Sequence, residues 1–146
     1  MNEYDKRKIK EVYLNAGLFP DTIPFLKYAK EERMPLLIST SNSEELVIKS
    51  LKKFGLINYF LTIMGKERGS KGEHIKIIKN HFPKIIYFIG DSKSDVALSK
   101  LKVISMGRTG LKPKGLFNKK ELIASGTNYT FSSLMEIFPL IKKSSP

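Results

Sequence analysis

Ile85-Ile86-Tyr87-Phe88-Ile89-Gly90-Asp91-Ser92-Lys93-Ser94-Asp95-Val96 is the stretch on which the reading of the fold turns. Five apolar or aromatic residues in a row, then a glycine and an acid, describe a short strand buried on both faces that stops at a tight turn. Ser94 is placed to cap a helix running from Asp95 to about Lys100. A strand that feeds a helix through a polar turn is the unit of a parallel sheet.

The same grammar repeats on both sides. Upstream, Leu36–Thr40 and Phe60–Met64 read as strands; downstream, Val103–Met106 and Tyr129–Phe131 do. Helical spacing is expected over Asn2–Ala16, from Asp21 or Thr22 to about Glu32, over Glu44–Phe54 behind Ser43, and over Glu73–His81. Lys119–Ala124 reads as a helical turn, and Ser132 or Ser133 caps a last helix ending near Ile141, with Lys142–Pro146 as a frayed tail. Helices alternating with short apolar strands give an α/β fold with a parallel sheet. No linker divides the chain, so a single core domain is expected over 18–141, after an N-terminal helix at 1–17 and before a tail at 142–146.

The 146 residues are enough for one core, and 41% hydrophobic with 27% charged residues is a globular mix. No apolar run is long enough to span a bilayer, and the first residues, Met1-Asn2-Glu3-Tyr4-Asp5-Lys6, lack the apolar stretch of a secretory signal. There is no cysteine, which excludes disulfides and thiolate metal sites; a cytoplasmic setting is expected. The net charge of +12 favours anionic partners, although the lysines are dispersed in the manner of a solvated surface. Nucleic acid ranks last among such partners: the aromatic residues, Tyr87 and Phe88 included, fall at core-like positions.

Ligands of parallel α/β sheets bind beyond the carboxyl ends of the strands. The first strand ends on Thr40, Ser41 and Asn42; Lys71 stands in the loop after the second, just before a helix; Asp91, Ser92, Ser94 and Asp95 follow the third. Hydroxyl and amide donors, one cation and two carboxylates on one edge suit a phosphate monoester with Mg²⁺: donors hold phosphate oxygens, lysine neutralises charge, and carboxylates are hard ligands for the metal. Taken singly, each group has an ordinary use. Thr40 and Asn42 suit a turn, Lys71 a solvated surface, and Asp91 and Asp95 a helix start. Gly69-Ser70-Lys71 lacks the glycine spacing of a P-loop, and His74 and His81 read as surface or helix-end residues.

The order of these groups resembles the haloacid dehalogenase superfamily of phosphatases, over roughly residues 18–141. Leu36–Asn42 looks like the family's second motif, with Thr40 as the phosphate-binding hydroxyl. Gly69-Ser70-Lys71-Gly72-Glu73 looks like the third, with Lys71 as its lysine, though Gly72 stands where the family often has proline. Gly90-Asp91-Ser92-Lys93-Ser94-Asp95-Val96 matches the fourth closely; there the first aspartate binds Mg²⁺ and the second supports the site. Phe54–Phe60 resembles the segment that precedes the third motif in phosphoglycolate-phosphatase-like members. The resemblance implies a Rossmann-like three-layer α/β/α fold and a Mg²⁺-dependent phosphatase acting on a small phosphorylated substrate.

One motif is missing. The family places Asp-x-Asp on its first strand, where the first aspartate attacks phosphorus and the second serves as acid and base. Asp5 lies in a charged helix-like stretch, and Asp21 is followed by Thr22 and Ile23 and precedes a helix. The first sixteen residues look instead like the end of a helical cap, so the chain reads as truncated and inactive as given. The absent strand is central in the family, between those carrying the second and fourth motifs. Without it two strands lack a neighbour, at about 1–3 kcal/mol for each buried unpaired group. They must pair directly, take a strand from a second chain or segment, or leave an open edge. A non-catalytic module binding a phosphorylated ligand or a protein is the alternative function.

Overall fold

A computed structural model describes Glu3, Arg7 and residues 17–82, 84–109 and 118–144. The helix expected over Asn2–Ala16 lies outside the described residues except for Glu3 and Arg7, which are helical; residues 110–117 lie outside them too. The chain divides into two compact units, Met1–His74 and Ile75–Pro146.

In the first unit, α1 (Thr22–Glu31) buries Phe25, Leu26 and Ala29, three positions on one stripe. Its Asp21 cap is positional only, with no side-chain capping bond. β1 (Leu37–Ser39) and β2 (Thr62–Met64) pair in parallel, Ile38 opposite Ile63. Leu61 N–H donates to Leu36 O (2.8 Å) and Thr40 N–H to Met64 O (2.9 Å), which carries the pairing past both ends. α2 (Glu44–Lys53) starts as expected: the Ser43 hydroxyl accepts from Leu46 N–H, and Glu44 and Glu45 lie at the positive end of the helix. α3 (Lys71–His81) contains the boundary between the units.

In the second unit, β3 (Tyr87–Gly90), β4 (Ile104–Arg108) and β5 (Tyr129–Phe131) form one parallel sheet in that order. α4 (Lys93–Val96) runs on into a 3-10 turn, Ala97–Leu101; α5 (Lys119–Ala124) and α6 (Ile137–Ser144) complete the unit. Ser133 and Glu136 build a capping box at the turn before α6. The helix continues to Ser144, so Lys142 and Lys143, expected in a frayed tail, are helical.

All strand pairs are parallel, as expected, but they make two sheets, β1-β2 and β3-β4-β5. Among the described residues β1 has one ladder partner, β2, and β3 has one, β4. This revises the role of the opening stretch. The strand whose composition calls for burial on both sides is an edge strand: Ile85 is 52% and Ile89 37% exposed, and its other residues are half-buried. The buried centre of its sheet is β4, where Ser105 and Met106 are fully enclosed. No helix among the described residues is long and apolar enough to cross a membrane.

Candidate functional site

The phosphate-type groups Thr40, Ser41, Asn42 and Lys71 all belong to the first unit; the carboxylates Asp91 and Asp95 belong to the second. Each set follows the carboxyl end of a strand, Thr40 after β1 and Asp91 after β3.

In the first unit the backbone of the loop is committed internally. Asn42 N–H donates to Thr40 Oγ1 (3.1 Å), Leu46 N–H to Ser43 Oγ (3.3 Å), and Glu44 N–H to Glu67 Oε1 (2.9 Å). The Thr40 hydroxyl, which accepts from Asn42 N–H, keeps its own proton to donate. Thr40 and Asn42 are half-buried and Ser41 is exposed.

Lys71 is the first residue of α3 and not part of the preceding loop. The cause is a capping box at Ser70 and Glu73: Glu73 N–H donates to Ser70 Oγ (3.2 Å), and Ser70 N–H and Oγ–H donate to Glu73 Oε1 (3.5 and 3.3 Å). Ser-x-x-Glu is a spacing visible in the sequence. Lys71 shares the first turn of the helix with the Glu73 carboxylate, at the positive end of the helix dipole.

The loop is braced from below. His74, read from sequence as a surface or helix-end residue, is completely buried. Its Nδ1 lies 2.7 Å from Ser39 Oγ and its Nε2 2.9 Å from Gly65 O. The apolar stripe Ile75, Ile78 and Phe82 on the same helix was the available signal, since position 74 falls on its edge. Glu44 Oε1 accepts from Gly65 N–H (3.3 Å) and from Arg68 Nε (2.8 Å). The Glu67 carboxyl is held below the usual carboxylate range, chiefly by the Glu44 N–H bond. Gly65 must be glycine: a Cβ there would lie 2.7 Å from Asn42 O, Glu44 N and Glu44 Cγ.

In the second unit, Asp91 is half-buried and Asp95 is 5% exposed. Ser92, not Ser94, caps α4: its hydroxyl accepts from Asp95 N–H (3.1 Å), while Ser94 Oγ lies 3.0 Å from Ser92 Oγ. The helix begins at Lys93, two residues earlier than expected, because Ser92 lies three residues before the N–H it satisfies. Asp95 packs over Gly90, where a Cβ would come within 2.4 Å of Asp95 Cβ and 2.7 Å of its Oδ2. Among the described residues no group of three or more His, Cys, Asp or Glu side chains is placed to hold a metal. Mg²⁺ does not need one, since it commonly takes one or two carboxylates with waters and phosphate oxygens, a donor set that Asp91 and Asp95 fit.

Comparison with known proteins places the chain in a family and a fold. Residues 1–106 match the haloacid dehalogenase-like hydrolase family. A predicted phosphatase from Clostridium acetobutylicum superposes at a TM-score of 0.72 with 24% identity, over 86% of this chain and 60% of that one. A haloacid dehalogenase-like hydrolase from Streptococcus pneumoniae does so at 0.79 with 19% identity, over 94% and 66%. A predicted phosphoglycolate phosphatase from Haemophilus somnus does so at 0.76 with 19% identity, over 97% and 68%. The chain thus spans less than two thirds of the first two relatives, and the likeness establishes a shared Rossmann-like fold. No curated protein matches the chain in sequence. With the family's pattern matched over most of its length, the chain belongs to the haloacid dehalogenase-like hydrolases.

Proposed function

We propose that the chain supplies the phosphate-holding and Mg²⁺-holding parts of a phosphatase-type hydrolase for small phosphorylated substrates. The observation that carries this is Lys71, fixed by a capping box in the first turn of α3 in the unit that also presents Thr40 and Asn42. A cation at that end of a helix is favourable when an anion joins it. Thr40, Ser41 and Asn42 donate to phosphate oxygens and Lys71 neutralises them. Asp91 would hold Mg²⁺, with Asp95, packed against Gly90, supporting it; such a metal supplies charge neutralisation in phosphoryl transfer.

The chain has four aspartates, Asp5, Asp21, Asp91 and Asp95, and no two are spaced as Asp-x-Asp. In this reading the attacking carboxylate comes from a segment or second chain that also completes the sheet. The exposed Ile85 and Ile89 and the single ladder partners of β1 and β3 support that completion. The purified chain alone is expected to hydrolyse phosphate esters negligibly. It should be stabilised by inorganic phosphate with Mg²⁺, by about 2.7 kcal/mol at a hundredfold excess over Kd. Lys71→Ala should remove the phosphate part of the shift and Asp91→Asn the Mg²⁺ part. Mg²⁺-dependent turnover abolished by Asp91→Asn would overturn the inactivity, and a melting temperature blind to both ligands would overturn the site.

The lack of Asp-x-Asp also favours a second reading, a non-catalytic module that binds a phosphorylated ligand or a protein. The DNA immediately upstream separates the two. An in-frame strand ending in Asp-x-Asp supports the hydrolase completed by its own segment, and an in-frame stop codon leaves the module or a hydrolase completed by a second chain, which phosphatase activity on mixing with that chain tells apart.

A further inference from the structure

We infer that His74 is the positioning residue of the phosphate end, setting where Thr40 and Lys71 stand, an assignment that rests on the phosphate-binding reading above. A carbonyl oxygen only accepts, so the 2.9 Å contact with Gly65 O makes Nε2 the protonated nitrogen. In the neutral ring Nδ1 then accepts the Ser39 hydroxyl proton across 2.7 Å. One enclosed imidazole therefore ties together three pieces of chain. Ser39 is the last residue of β1 and directly precedes Thr40. Gly65 lies against Asn42 and Glu44, too close to admit a Cβ, and Lys66 N–H donates to Asn42 O (3.0 Å). His74 itself is on α3, less than one helical turn after Lys71, so the helix backbone transmits its placement to the lysine. Moving the ring moves the start of the Thr40 loop, its floor and the lysine together. An apolar side chain of similar size would fill the space but leave the Gly65 carbonyl without this donor and the Ser39 hydroxyl without this acceptor.

The test is an NMR titration of the full chain with inorganic phosphate, well below the melting temperature of every variant, with melting temperatures recorded in parallel. His74→Phe keeps a planar ring, somewhat larger than imidazole, and removes both hydrogen bonds. Ser39→Ala removes one with little change of shape, and His74→Gln restores an amide donor toward Gly65 O. Lys71→Ala is the reference for loss of the site. The expected result is wild-type binding lost in Lys71→Ala, weakened roughly tenfold in His74→Phe and Ser39→Ala, and partly recovered in His74→Gln. If His74→Phe does not fold, Ser39→Ala alone decides. Lowered melting temperatures with unchanged phosphate affinity would reduce His74 to core packing and overturn the assignment while leaving the phosphate reading intact. Absence of wild-type binding would overturn both.

Discussion

The loop after β1 and the loop after β3 both follow a strand and lead into a helix, yet they are held in opposite ways. The first is braced by groups distant in sequence: Ser39 by His74, 35 residues on, Glu44 N–H by Glu67, 23 residues on, and Glu44 Oε1 by Gly65, 21 residues on. In the second, Ser92 bonds to Asp95 over three residues and to Ser94 over two, and an exposed ion pair joins Lys93 to Glu121, 28 residues on (3.6 Å). The loop that carries Thr40 is therefore braced by distant parts of its unit, whereas the turn after β3 takes its hydrogen bonds at Ser92 from adjacent residues, with one exposed ion pair reaching α5. Disturbing the fold of the first unit should impair phosphate binding before anything else.

The largest expected effect follows from Gly65. Gly65→Ala places a methyl group 2.7 Å from Asn42 O and Glu44 N, backbone atoms that cannot swing aside. Overpacking of this kind costs about 1–3 kcal/mol, and for a chain of this size each kcal/mol lowers the melting temperature by about 4 °C. Calorimetry should show that fall together with loss of the phosphate-induced shift. Gly90→Ala is the counterpart: its methyl group meets Asp95 Cβ at 2.4 Å, so the response to Mg²⁺ should vanish while the phosphate shift persists. Loss of both responses in both variants would break the comparison.

That contrast explains what could be read in the sequence. The strand ending at Gly90 and the helix start after it were legible because strand, turn and helix lie next to one another. The capping roles of Ser43 and Ser133 were legible for the same reason, and so were the strands Leu37–Ser39, Thr62–Met64 and Tyr129–Phe131. Lys71 was found but misplaced by a boundary, although Ser70 and Glu73 spell the capping box that puts it in α3. The Gly65–Glu44–Glu67 brace left no local trace, because nothing near Glu44 in sequence announces a partner 23 residues away. The open side of β3 was expected from the missing Asp-x-Asp strand, and among the described residues β3 pairs with β4 alone; its exposure at Ile85 and Ile89 was not, because the apolar run satisfies the pattern of a strand covered on both faces.

A smaller effect sharpens the comparison at the two helix starts. Ser43→Ala removes the hydroxyl that accepts from Leu46 N–H, and Ser92→Ala the one that accepts from Asp95 N–H. Each loss is expected to cost about 1 kcal/mol, toward the lower end for Ser92 because α4 is a single turn. Ser43→Ala should weaken the response to phosphate and Ser92→Ala the response to Mg²⁺, as read by ligand-induced melting shifts. Equal effects on both ligands would mean that the loops are not held independently.

The smallest expected effect concerns acid. Glu67 accepts the Glu44 N–H, and that bond is the main cause of its lowered carboxyl. A carboxyl depressed in the folded state stabilises that state above its unfolded value, and the contribution is lost as pH falls through the folded one. Acidification below the usual carboxylate range should therefore loosen the loop that carries Thr40. Glu67→Gln keeps an oxygen for the Glu44 N–H but removes the titration. Glu136 gives the reference: its carboxyl is also lowered, first by the Ser133 N–H and then by the Ser132 N–H, on the turn before α6. Glu136→Gln should flatten part of the acid limb of overall stability without altering how the phosphate-induced shift changes with pH. Glu67→Gln should alter that change, measured against Glu136→Gln at each pH so that phosphate's own ionisation cancels. The effect is small because Glu67 is exposed and water screens its charge. An identical pH course in the two variants would show that the Glu67 bond does not brace the loop that carries Thr40.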